Sequence, residues 1–186
     1  MDVLKAIASV FLAAALLYLP VSVDAEPGTG TRAEEHVIKA AFIYNFTKFV
    51  TWPATAFENV SDPIRICVVE DNELAEALET LADKSKGRPL RVVRYRNIAD
   101  ADKSHLVFVG ESADDALIKK ILYAVVKRPV LTVGDTSAFV RQGGMIGFIS
   151  TGKKLTFEIN PALAKRSGLE ISFKMLSLAK IVREQP

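Results

Sequence analysis

The stretch Ile64-Arg65-Ile66-Cys67-Val68-Val69-Glu70-Asp71-Asn72-Glu73-Leu74-Ala75 decides the fold. Its first six residues form a short apolar run rich in β-branched side chains, the mark of a buried strand. Asp71 or Asn72 then caps a helix running to about Ala82, with Leu74, Ala75, Leu78 and Leu81 on its apolar face. Downstream the unit recurs. Lys86-Gly87-Arg88-Pro89 is a turn, Leu90 to Tyr95 a second strand and Leu106 to Val109 a third. Ser112 caps a helix to about Val126 whose buried stripe is Ile118, Ile121, Leu122 and Val125. Pro129 stops that helix, and Val130 to Val133 is a fourth strand. Strands separated by helices imply βαβ crossovers and a largely parallel sheet.

The pattern changes beyond Gly134. Met145 to Ile149 and Leu155 to Ile159 read as an antiparallel hairpin turning through Ser150 to Lys154, with Gly152 supplying the positive φ. Asn160-Pro161 opens a short helix that Gly168 ends. Ser172 to Arg183 reads as a final helix burying Met175, Leu176, Ala179 and Val182. Upstream, Glu34 to Val50 reads as a helix whose acidic start suits its positive end. Val37, Ala40, Ala41, Tyr44 and Lys48 line one face of it and Ile38, Phe42, Phe46 and Phe49 another, so it is expected to be buried on more than one side. The expected fold is a single-domain, three-layer α/β sandwich. Its mostly parallel sheet has about six strands, ends in an antiparallel hairpin and is flanked by helices.

Residues 1–25 read as an address rather than as structure. Ala6 to Leu19 is apolar except for Ser9, Lys5 precedes it, Pro20 ends it, and Val23-Asp24-Ala25 offers a small residue at a cleavage edge. This is the layout of a cleaved secretory signal peptide. The alternative, an uncleaved anchor, would be short against the roughly 20 apolar residues of a span. Residues 26–33, with Pro27, Gly28 and Gly30, read as a flexible leader to one domain over 34–186.

At 25% charged and 49% hydrophobic, the 186 residues have a globular composition. A net charge of +2 gives no support to nucleic-acid binding. One cysteine, Cys67, excludes an internal disulfide, a thiolate zinc cluster and a CxxC pair. It is either a small buried hydrophobe or a redox-reactive thiol, the latter needing exposure and a nearby cation. Two histidines, His36 and His105, exclude a three-histidine metal site, and each reads as structural or surface.

Catalytic motifs find no support. Gly147 to Lys154 approaches P-loop spacing, but Lys154 stands where Ser or Thr should bind magnesium, and the stretch runs into a strand rather than a helix. Gly143-Gly144 reads as a tight turn or a close backbone approach. Asp100, Asp102, Asp114, Asp115 and Glu158 are scattered, and the sequence puts no two carboxylates into one cleft. Ser112 and Ser137 lie near strand ends without an evident base, which leaves a hydrolase only as an outlying reading.

Several segments together resemble the YfiR family. They are Lys39-Ala40-Ala41-Phe42-Ile43-Tyr44-Asn45-Phe46-Thr47-Lys48-Phe49-Val50-Thr51-Trp52-Pro53, then Ile66 to Val69, Pro129 to Val133 and Gly143 to Phe148. Phe157 to Asn160, Ser167 to Ser172 and Leu176 to Ala179 follow in the same order. The resemblance implies an exported periplasmic α/β protein, often a homodimer, of a family with no universal catalytic residue to carry over; no cofactor is expected. It implies a repressor acting on the periplasmic region of an inner-membrane diguanylate cyclase, so that release raises cyclic di-GMP and promotes biofilm. It also implies that an outer-membrane lipoprotein can sequester the repressor. Relatives often carry a second cysteine just before the third strand; Ser104 stands there here, so their disulfide does not carry over.

Candidate partner contacts lie in the irregular segment after the fourth strand, at Phe139, Arg141 and Met145, and at the hairpin tip, at Lys153 and Lys154. The plainer reading of Phe139 and Met145 is that they fill the core. A small-molecule sensor is the second function. Its ligand would lie outside the carboxyl ends of the strands, at Glu70-Asp71, Gly110-Glu111-Ser112 and Gly134-Asp135.

Overall fold

A computed structural model describes residues 30–83, 87–151 and 154–183. The expected signal peptide, residues 26–29 of the leader, Lys86, Gly152 and the candidate contact Lys153 lie outside the described residues.

The chain enters as helix α1 (Gly30–Phe49), followed by β1 (Val50–Thr51) and a 3-10 turn at Ala54–Ala56. The strand–helix series then runs β2 (Ile64–Val69), α2 (Asn72–Asp83), β3 (Leu90–Arg94), α3 (Ile98–Asp102) and β4 (Leu106–Val109). It continues with α4 (Asp115–Val125), β5 (Leu131–Gly134), α5 (Ser137–Arg141) and β6 (Ile146–Thr151). Strand β7 (Lys154–Ile159), α6 (Pro161–Arg166), β8 (Glu170–Ile171), α7 (Phe173–Leu176) and β9 (Lys180–Ile181) complete it.

The main sheet has the order β3-β2-β4-β5-β6-β7-β9, parallel throughout except for the β6–β7 hairpin. The period of two along its central strands divides the core into two layers. Ile66, Val68, Leu106, Phe108, Leu131 and Val133 point to the side covered by α1 and α2. Cys67, Val69, Val107 and Val109 point to the side covered by α3, α4 and α5, where they meet Ala101, Ile121, Val125 and Phe139. This is the expected three-layer sandwich. Phe46 packs on Phe148 and Phe157 with ring centroids 6.0 and 5.0 Å apart, clamping α1 to the hairpin.

Several boundaries differ from expectation. Helix α1 starts at Gly30, so Glu34 and Glu35 lie beyond its first turn, and Glu35 instead pairs with Lys39 at 2.9 Å. One stripe of α1 is buried, namely His36, Lys39, Ala40, Ile43, Phe46 and Thr47, while Val37 and Ile38 are exposed. Helix α4 is capped by Asp114, whose carboxylate accepts from the Leu117 N–H at 2.7 Å, rather than by Ser112. The expected last helix is a single turn, because Lys180–Ile181 pairs with Glu158–Ile159 as a seventh strand. That pairing puts Lys180 3.6 Å from the buried Glu158.

The P-loop-like stretch is the hairpin, in register from Ile146↔Ile159 to Thr151↔Lys154. Gly143 has φ 104°, and a Cβ on Gly144 would sit 2.2 Å from the Phe139 ring, so this glycine pair serves both a turn and a close approach.

Candidate functional site

In the order β3-β2-β4-β5 the chain leaves β2 in one direction to form β3, then returns to lay β4 on β2's other edge. Open α/β sheets bind ligands at such a reversal, outside the carboxyl ends of the two diverging strands. Here those ends carry Glu70 and Asp71 after β2, Glu111 and Ser112 after β4, and Asp135 after β5. Helix α1 contributes His36 and Lys39 from its buried stripe and the half-buried Glu35 beside them. Together with Asn72 and Glu73 they line a cavity of about 280 Å³. The cleft gathers the strand-end carboxylates where a ligand was expected, Glu70, Asp71, Glu111 and Asp135, and adds Glu35 from α1 and Glu73 from α2. Successive strand ends, far apart in sequence, are brought side by side by parallel pairing.

Backbone geometry draws the strand ends together. Gly110 N–H donates to Val69 O at 2.9 Å, and a Cβ on Gly110 would lie 2.7 Å from Glu70 O. Glu70 is the one non-glycine residue of positive φ among the described residues, at 55°. A side chain held in that region is strained, and such strain gathers at binding sites. Asp71 is held too, since its Oδ1 accepts from the Leu74 N–H at 2.9 Å and caps α2.

Six carboxylates face one lysine in this cavity. Lys39 Nζ lies 2.6 Å from Asp135 Oδ1, with both side chains buried. Burial alone would lower the pKa of Lys39, but the bonds to Asp135 and Glu35 outweigh it and hold the ammonium above its usual range. Burial pushes the Asp135 carboxyl up. Lys39 pulls it back, Asp71 and Glu111 add repulsion, and the net direction is upward. His36 Nε2 stands 3.5 Å from Asp71 Oδ1 and 3.5 Å from Glu73 Oε2.

The other candidates fall elsewhere. Phe139 and Met145 are 2% and 4% exposed and fill the core, which withdraws them as surface contacts; the segment holding Phe139 and Arg141 is helix α5. Arg141 and Lys154 are exposed. Cys67 is fully buried, and burial pushes its thiol up to about 12, which removes the thiolate that redox chemistry needs. Ser104 donates its hydroxyl to Asp100 O at 2.6 Å. His105 is structural: Nδ1 accepts from the Arg65 N–H at 3.0 Å, Nε2 lies 2.9 Å from Ala56 O, and its ring stacks on Phe57. Its own carbonyl accepts from Trp52 Nε1 at 3.1 Å, which gives Trp52 a structural place as well. No hydrogen bond joins Ser112 or Ser137 to either histidine among the described residues.

Over residues 36–180 the chain matches the family model described as YfiR/HmsC-like, DUF4154. The chain belongs to the YfiR/HmsC-like family. The matched span begins at His36 and includes every cavity residue named above except Glu35. Among solved structures, the chain resembles a conserved domain protein from Vibrio cholerae O1 biovar eltor str. N16961, at 17% identity and a TM-score of 0.53. The match covers 83% of this chain and 60% of that one, and shows a shared fold. No curated protein sequence matches the chain.

Glu35, His36, Lys39, Asn72 and Glu73 are the cavity residues that sequence reasoning missed. For His36 and Lys39 the signal was present: they sit three residues apart on the stripe that continues through Ala40 and Ile43. Polar groups on a buried stripe need polar partners.

Proposed function

We propose that this protein is an exported periplasmic regulator that binds the periplasmic region of an inner-membrane diguanylate cyclase and holds its activity down. The family match over residues 36–180 carries this reading. Among the described residues no helix is long and apolar enough to cross a membrane. A protein of this kind works by surface complementarity between two states of its partner. Arg141 and Lys154 remain exposed for that contact, on α5 and at the hairpin. Sequestration by an outer-membrane lipoprotein and self-association as a homodimer belong to the same reading.

Pull-down of tagged protein from membranes tests it. Recovery of a diguanylate cyclase is expected; membranes that contain cyclases but yield none would reject the reading.

A second reading, small-molecule sensing, is favoured by the cavity at the strand reversal. It is compatible with the first, since a bound ligand can bias partner affinity by its preference for one conformation. Thermal-shift screening against cationic metabolites is expected to raise the melting temperature. A screen without any stabilising compound would remove this reading and leave the first intact.

A further inference from the structure

We propose that His36, Asp71 and Glu73 bind a divalent transition-metal ion at the mouth of the carboxyl-edge cavity. The inference does not depend on the partner reading above.

The imidazole carries it. His36 is 8% exposed, and its Nδ1 is sealed from solvent without a hydrogen-bond partner among the described residues. Its Nε2 faces only two carboxylate oxygens, each 3.5 Å away. Hydrogen bonds from nitrogen to oxygen run at about 2.7–3.2 Å, so neither oxygen is a good partner. Nε2, the nitrogen that faces the two carboxylates, therefore has no short partner, and an ion seated between the three groups would complete it.

The two separations from Nε2 to the carboxylate oxygens, 3.5 Å each, are those of ligands around one ion. Zinc holds nitrogen and carboxylate oxygen at about 2.0–2.2 Å in a tetrahedron, which places neighbouring ligand atoms about 3.4 Å apart. The three ligand atoms lie within 4.8 Å of one another, and a swing of the exposed Glu73 side chain closes what remains for one ion to reach all of them. One imidazole and two carboxylates form a three-ligand zinc set with a fourth position open to the cavity.

The surroundings favour a cation. Glu70 and Glu111 line the same cavity, while Lys39 is already neutralised by Asp135 and Glu35. Asp71 is pre-positioned by its bond to the Leu74 N–H. Glu73 is 71% exposed at its side chain and can swing onto an arriving ion. An ion here would tie α1 to the start of α2, across the strand reversal.

Titration of the chelator-treated protein with zinc chloride in a calorimeter tests the proposal, with magnesium chloride as the comparison. One zinc per chain and a zinc-dependent rise in melting temperature are expected. Cobalt(II) should give the strong visible absorption of a tetrahedral site. His36→Gln and Glu73→Gln should each weaken zinc binding by at least the roughly 10–100-fold seen when groups supporting a metal ligand are removed. Glu73→Gln lies at the surface and should leave the fold intact, so it decides the matter if His36→Gln fails to fold. Absence of zinc binding at millimolar concentration would overturn the proposal. So would zinc binding that Glu73→Gln leaves unchanged, or magnesium binding as tight as zinc binding.

Discussion

Replacing Lys39 by Met tests the electrostatic structure of the cavity. The change keeps the length and apolar stem of the side chain and removes the charge. Asp135, 6% exposed at its side chain and 2.6 Å from Nζ, then loses its counter-ion while Asp71 and Glu111 still repel it. Breaking a buried ion pair from one side costs about 3–5 kcal/mol. The cavity lets water reach Asp135, so the lower end of that range applies. With a urea slope near 2 kcal/mol/M, a loss of about 3 kcal/mol moves the unfolding midpoint down by about 1.5 M at pH 7. The pH dependence identifies the cause. Asp135 already has a folded pKa above its usual value, and losing Lys39 raises it further. A raised folded pKa contributes stability at low pH that is lost as pH rises through it, so the variant's deficit should shrink between pH 7 and pH 4. Adding Asp135→Asn should recover at least half of the loss at pH 7. Urea midpoints of the two single variants and the double variant, at both pH values, read all of this. A Lys39→Met midpoint within about 0.25 M of wild type, or a deficit that Asp135→Asn leaves untouched, would refute the reasoning.

Other substitutions probe the scaffold. Burial holds the pKa of His105 below its ordinary value, so wild-type stability should fall as pH drops through about 6.5. His105→Gln should flatten that fall in urea titrations while costing about 1–3 kcal/mol for the backbone groups left unpaired. Gly134→Ala would place a Cβ 2.1 Å from the Phe139 ring and should cost at least about 1–3 kcal/mol by thermal denaturation. Phe139→Ala should cost about 3–5 kcal/mol, measured the same way, and a cost close to nothing would contradict its place in the core. Cys67 should resist a thiol reagent in the native protein and react at once in denaturant.

The strands and their order of appearance were readable because each is a short β-branched run between recognisable turns. Cys67 could be read as buried because it alternates with Ile66 and Val68 inside such a run. What escaped reading was set by distance in the chain. Lys180–Ile181 looks helical beside Met175 and Leu176, and becomes a strand only because β7 offers it an edge. By contrast, Glu70, Glu111 and Asp135 were readable as one candidate ligand site from the order of parallel strands, while Glu35, His36 and Lys39, which α1 brings to it, were not. The reading of α1 failed differently. Apolar periodicity pointed to Val37 and Ile38, whereas the buried stripe contains His36 and Lys39, whose polar ends line the charged cavity. Hydrophobic pattern alone does not find a stripe chosen by charge.

Cyclic di-GMP measured in cells with and without this protein tests the regulatory account most directly. Deletion should raise the nucleotide and increase biofilm, and an exported copy should restore both, whereas the same copy confined to the cytoplasm should not. Unchanged cyclic di-GMP on deletion, or full restoration by the cytoplasmic form, would contradict the account.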